Sequence, residues 1–203
     1  MYTVKRFSAA QWTQAAQQIA HNDIQHGPWE SLERADMTCA PWGGPEVPAC
    51  AWVGWDAEEL YLFFQARETP ILTKETQRNG AVYRDSCVEC FFAPPGMDAY
   101  CNMEINAAGV YHLAWGVGRH GRVFPETTPD VRTGQAGEWW MACARLPAAL
   151  WQGVLQPGDQ LRGNFQKCCE DKQPPHYMTW QPIGTPTPDF HRPEWFGAWV
   201  LEA

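Results

Sequence analysis

The stretch Tyr83 to Asn106 constrains the fold of this chain most. It runs Tyr-Arg-Asp-Ser-Cys-Val-Glu-Cys-Phe-Phe, passes a Pro94-Pro95-Gly96 turn, and returns as Tyr-Cys-Asn-Met-Glu-Ile-Asn. Apolar and polar residues alternate with a period of two, as a β-strand requires, because successive side chains leave a strand on opposite faces. In the first strand Val88, Cys90 and Phe92 share one face, while Asp85, Cys87 and Glu89 share the other. In the second, Cys101, Met103 and Ile105 are apolar, and Asn102, Glu104 and Asn106 lie opposite. Antiparallel pairing must keep the two apolar faces in phase. A register with its loop at 93–98 sets Asp85 against Asn106, Cys87 against Glu104, and Glu89 against Asn102. Carboxylates and amides then share one patch of sheet.

The rest of the chain reads as support for that hairpin. Its 203 residues suit a single domain spanning 1–203, a size at which roughly 70% of the unfolded surface is buried. Residues 2–5 suggest a short edge strand. Ser8 and Gln11 form a capping box, and Trp12, Ala15, Ala16 and Ile19 recur at helical spacing, so an amphipathic helix is expected over 9–20. From 26 to 48 the chain is rich in Pro and Gly and reads as a long loop, with Trp29 and Trp42 available to meet a ligand. Strands are expected at 50–55 and 59–67 as a hairpin, then at 110–115, 139–145, 160–167 and 195–201, with a single helical turn at 148–151. Many short strands and one short N-terminal helix imply an all-β fold: an antiparallel β-sandwich of jelly-roll-like type.

Composition narrows the function. The formal charge is −8 and no Lys/Arg run is present, which argues against nucleic acid and against an anionic membrane surface. No stretch approaches a membrane span or an apolar signal-peptide core, so a cytoplasmic protein is expected. The eight cysteines then read as reduced, buried thiols. Cys87 and Cys90 project to opposite faces of one strand and cannot chelate a metal together, and the adjacent Cys168 and Cys169 are excluded on the same ground. The 12 Trp residues are expected to divide about evenly between the core and a surface or pocket, because the ring is amphipathic.

Several segments then look familiar. Arg84-Asp85-Ser86-Cys87-Val88-Glu89 and Tyr100-Cys101-Asn102-Met103-Glu104-Ile105-Asn106-Ala107-Ala108-Gly109 resemble the central hairpin of family 9 carbohydrate-binding modules. Arg162 to Cys168, His176 to Ile183 and Pro188 to Gly197 are similar to that family's pattern, in the same order. The resemblance implies a β-sandwich that binds sugars without chemistry of its own, supports carbohydrate catabolism, and often serves beside a glycoside hydrolase as partner.

The residue types suit that expectation. A neutral sugar presents hydroxyls that donate and accept, and apolar C–H faces that stack on aromatic rings. Asp85, Glu89, Asn102, Glu104 and Asn106, extended by Arg84, His112, Asn164 and Lys167, are the candidate polar contacts; Tyr83, Trp115 and Trp180, with Trp139 beside them, are candidate stacking rings. Other readings of the same face are a solvated outer sheet surface, an interaction domain without sugar affinity, and a glycosidase using Glu89 and Glu104 as its acid pair. No cofactor is demanded, although a structural calcium on Asp85, Glu89 or Glu104 fits the donor type. His191, in the segment Asp189-Phe190-His191, reads as a structural hydrogen-bonder, since no acid or nucleophile adjoins it in sequence.

Overall fold

A computed structural model describes residues 1–151 and 154–203. The elements follow in the order β1 (Tyr2–Arg6), α1 (Ala9–Ala20), β2 (Arg34–Asp36), β3 (Ala49–Trp55), β4 (Glu59–Arg67), β5 (Cys87–Ala93), β6 (Tyr100–Asn106), β7 (Tyr111–Gly116), β8 (Asp130–Ala136), β9 (Trp139–Pro147), β10 (Gln160–Cys169), β11 (His176–Thr179) and β12 (Gly197–Leu201). The fold is mostly β, with the expected helix at its expected bounds. Ser8 accepts from the Gln11 amide while the Gln11 side chain caps Ser8 in return, and Trp12, Ala15, Ala16 and Ile19 form the buried stripe. No helix among the described residues is long and apolar enough to cross a membrane.

The strands form one mixed sheet in the order β7-β6-β5-β10-β12-β1-β3-β4-β9-β8, with β11 on β10 and β2 on β3. Its joint is β1. Tyr2, Thr3 and Val4 pair with β12, while Lys5 and Arg6 pair with β3, and both pairings are parallel. The expectation of an edge strand at 2–5 and of purely antiparallel pairing is corrected here. The physical reason is connectivity: α1 and the loop after it supply the long crossover that a parallel neighbour such as β3 requires, and buried Tyr2 and Val4 belong in the sheet's middle.

The sheet curls so that its two halves share one core. Val88, Cys90 and Phe92 of β5, Met103 and Ile105 of β6, and Phe165 of β10 meet Val53 of β3, Leu62 and Phe64 of β4, and Trp140 and Ala142 of β9. The outer face of β3, β4 and β9 is also apolar, and α1 covers it through Trp12, Ala15 and Ile19. That leaves the outer face of β5, β6 and β10, the polar face of the hairpin, as the face that loops cover.

Three strands escaped the alternation rule. β8 offers little apolar signal (Asp-Val-Arg-Thr-Gly-Gln-Ala), yet pairs along its length with β9. β11 lies inside a Pro-rich stretch and pairs with β10, and the short β2 sits inside the 26–48 loop. In that loop Trp29 is fully buried under α1 and meets no solvent, which corrects its expected exposure.

Candidate functional site

β5 and β6 pair two positions away from the expected register. Glu89 faces Glu104, Cys87 faces Asn106, and Phe91 faces Asn102. A shift of two keeps every side chain on its predicted face, so the polar patch survives with different partners. The displacement arises because Asp85 is not in the strand. It follows a 3₁₀ turn at Val82–Arg84, and β5 begins only at Cys87.

Beyond β6, His112 of β7 stands opposite Glu104, and on the other side Cys168 of β10 stands opposite Cys87. Over this floor lies a cavity of about 550 Å³, within the range of small-molecule sites. Glu89, Phe91, Asn102, Glu104, His112 and Cys168 line its base. Its walls come from three loops: Asn79 to Tyr83, Arg119 to Phe124, and Pro188 to His191, joined by Tyr177 of β11 and Glu170. Arg119 reaches Asp189 at 3.1 Å, an ion pair between two of these loops.

The floor is buried and polar. Asn102 Nδ2 donates to Glu104 Oε1 at 2.8 Å, while Glu104 Oε2 is buried without a hydrogen-bond partner. The Cys168 thiol donates to Glu89 Oε1 at 3.1 Å. Burial, then the neighbouring Cys168 and Glu104, push the Glu89 carboxyl well above its ordinary range. Burial also raises Glu104, against the lowering influence of His112, Asn102 and Arg122. Two buried carboxyls on facing positions do not both ionise readily, so each holds its proton more firmly than an exposed carboxyl does. The floor thereby offers both a donor and an acceptor.

Arg122, absent from the sequence-based candidates, organises one wall. Its Nε donates to Asn102 Oδ1 at 2.8 Å, and its Nη atoms donate to the carbonyls of Gly118 and Tyr100, each at 2.8 Å. The guanidinium also lies 4.3 Å from the Tyr100 ring centre. The Gly-rich loop is therefore pinned to the sheet, and Asn102 is oriented toward Glu104. The signal available in sequence was an Arg closing a Gly-rich loop, which has no strand period to locate it. His191 also lines the cavity; its Nδ1 is 2.9 Å from the Tyr100 hydroxyl. Burial, together with Arg122 and Arg119, lowers it to about 3, so the ring is neutral.

Of the residues singled out in sequence, Tyr83, Glu89, Asn102, Glu104 and His112 meet at the cavity, with His191 in its wall. The others lie elsewhere. Asp85 is buried, and its oxygens accept from the amides of Lys74 and Glu75 and from Asn106 Nδ2, each at 2.9 Å. Both residues hold the loop before β5, and Asp85 uses its two carboxylate oxygens there. Asn164 brackets Gln181, accepting from its amide at 2.9 Å and donating to its carbonyl at 3.2 Å. Arg84 is exposed and pairs with Asp171 at 2.9 Å. Trp115 and Trp180 pack against the core. Lys167 projects with Phe165 to the core side of β10, 0% exposed, with Nζ 2.7 Å from Glu68 Oε1. There it also lies 2.9 Å from His176 Nε2, a neutral ring lowered to about 3 chiefly by burial.

A sequence model described as carbohydrate-binding family 9 matches residues 45–141 and 140–201. The chain belongs to this family. Among solved structures, it is similar to a candidate carbohydrate-binding protein from Bacteroides uniformis ATCC 8492, with a TM-score of 0.84 and 25% identity over 100% of this chain and 98% of the other. It also shares its fold with a family 9 module from Caldicellulosiruptor kristjanssonii. In complex with cellotriose, that module gives a TM-score of 0.69 at 14% identity, covering 99% of this chain and 93% of that one. In complex with glucose the values are 0.66 and 14%, covering 98% and 94%. No curated protein gives a significant match.

In this family 9 member the cavity is walled by smaller aromatics than the Trp count suggests. None of the Trp residues lines it; the rings that do include Tyr83, Phe124, Tyr177 and Phe190. Tyr83 is 39% exposed and Phe124 53%. Trp42 acts one layer back, its ring 5.8 Å from Tyr177 and 5.6 Å from Phe190.

Proposed function

We propose that this chain binds a neutral carbohydrate without acting on it, a small sugar or a plant-type glycan such as a glucan or xylan, in support of carbohydrate catabolism. One observation carries the reading: buried Glu104 Oε2 has no partner at the floor of a cavity whose rim exposes Tyr83 and Phe124. A buried acceptor left unsatisfied is costly, and a sugar hydroxyl supplies the missing donor while a C–H face stacks on the rim. The family match and the cellotriose and glucose complexes of a fold relative support the same ligand class. Glu89, Asn102, Glu104 and His112 are the proposed polar contacts; Tyr83, Phe124 and Tyr177 are the proposed stacking rings.

We read the curled sheet as a jelly-roll-like β-sandwich forming a single domain over 1–203. The core shared by both halves supports the sandwich. A glycoside hydrolase as partner and a cytoplasmic location belong to the same proposal, the latter supported by eight free cysteines; nucleic acid and membrane are not among the proposed partners. Affinity electrophoresis against soluble glucans and xylans, with a glycan array for small sugars, tests the reading. Retardation or array binding supports it, and absence of both defeats it.

A further inference from the structure

We propose that Cys87, Cys168 and Glu89 form a binding site for a thiophilic divalent cation of the zinc class. The pairing of β5 with β10 sets Cys168 directly opposite Cys87. Glu89 follows on the same face, and one ligand atom from each of the three lies within 4.8 Å of the others. All three are buried, and the Cys168 sulfur already lies 3.1 Å from Glu89 Oε1. Tetrahedral zinc with Zn–S bonds of about 2.3 Å holds two sulfurs roughly 3.8 Å apart, so the donors stand near the required span without any movement of the sheet.

Glu89 and Cys168 line the cavity, which supplies an entry path and leaves a fourth coordination position facing it. Two thiolates and one carboxylate select a borderline-soft cation over calcium, which takes six or more oxygens. Binding forms two S–Zn bonds and one O–Zn bond; both thiol protons, and the proton that Glu89 holds when it is protonated, pass to the buffer. The pairs in sequence, Cys87 with Cys90 and Cys168 with Cys169, do not compose this site. It exists only through the cross-strand register. It does not depend on sugar binding, although it shares Glu89 with the proposed sugar floor.

Fully reduced, chelator-treated protein titrated with cobalt(II) and then zinc tests the site. The expected result is one equivalent of cobalt giving a thiolate-to-cobalt charge-transfer absorption, abolished by zinc and unaffected by excess calcium. Cys168→Ser loses the absorption, while Cys50→Ser, a buried thiol on the far side of the other half-sheet, keeps it. Should Cys168→Ser fail to fold, Glu89→Gln serves instead: it keeps the absorption but weakens cobalt binding at least about tenfold, since even outer partners of a metal ligand are worth that much. No charge-transfer absorption in the reduced wild type overturns the site. So does an absorption that both Cys168→Ser and Glu89→Gln leave intact at unchanged affinity.

Discussion

Glu89 of β5 and Glu104 of β6 stand directly opposite each other, both buried beneath the same cavity. Like charges in this position destabilise a sheet, and burial compounds the cost. Their survival as a pair is what a site needing both a donor and an acceptor requires.

That pair sets a pH dependence opposite to the usual carboxylate case. Glu89 is raised well above 4.5 in the folded chain, and Glu104 is also raised, so the folded state holds protons that the unfolded state has released. Stability therefore falls as pH rises from about 4.5 through the folded value. Glu68 runs the other way: burial pushes it up, but Lys167 and Lys172 hold it below 4.5 overall, and its contribution is lost only as pH drops through that lowered value. Neutral His176 and His191, both lowered to about 3, pull stability down on the acid side, so the carboxyl pair is read as a difference: in thermal melts between pH 5 and pH 7, wild type should gain stability relative to Glu89→Gln as pH falls. Equal slopes would refute the shared burial cost.

Lys167→Met should destabilise without touching the ligand site. It leaves buried Glu68 with Lys172 as its lysine partner and the Trp140 indole N–H as a neutral donor, and breaking a buried pair costs about 3–5 kcal/mol. For a chain of this length that is on the order of 10 °C in Tm. Replacing Glu68 and Lys167 together by Met should recover much of the loss. A melting curve with no change for the single variant would contradict the assignment of Lys167 to the core side of β10.

Phe124→Ala should have the inverse profile. The ring is half-exposed and touches His112 edge-on, with centres 5.5 Å apart. Loss of one stacking partner is worth about 1 kcal/mol, or roughly fivefold in sugar affinity, with Tm nearly unchanged. Isothermal titration paired with a melt reads both; a fall in Tm with constant affinity would place Phe124 in the scaffold instead.

Arg122→Met should loosen the Gly116–Gly121 loop, because the carbonyls of Gly118 and Tyr100 lose their donor. Amide hydrogen exchange should rise across that loop and across Asn102, while exchange in β3 and β4 stays constant. Unchanged exchange in the loop would show that Arg122 is not its anchor.

The hairpin's alternation made its two faces legible, because a two-residue period survives a two-residue slip of register. Thus Glu89, Asn102 and Glu104 were placed on the right face before their partners were known. The capping box at Ser8 and Gln11 similarly fixed α1. What stayed hidden depends on contacts between distant segments. Lys167 looked like an extension of the polar row, yet β10 turns it toward Glu68, 99 positions earlier in the chain. Cys87 and Cys168 meet only through the pairing of β5 with β10. Trp55, Trp140 and Trp199 are fully buried, and which rings reach the cavity is set by the loops, which bring Tyr and Phe there. Parallel pairing at β1 could not be read from five residues.

The most direct measurement is isothermal titration of cellotriose and glucose into wild type and Glu104→Gln, each with a thermal melt. The variant keeps the side chain's shape, and it replaces the unpartnered carboxylate oxygen with an amide. Wild type should bind one of these sugars at one site per chain. Glu104→Gln should bind it at least about tenfold more weakly, since a hydrogen bond to a charged group is worth about 1.5–3 kcal/mol, with Tm equal or higher. Equal binding by the two proteins would contradict the account.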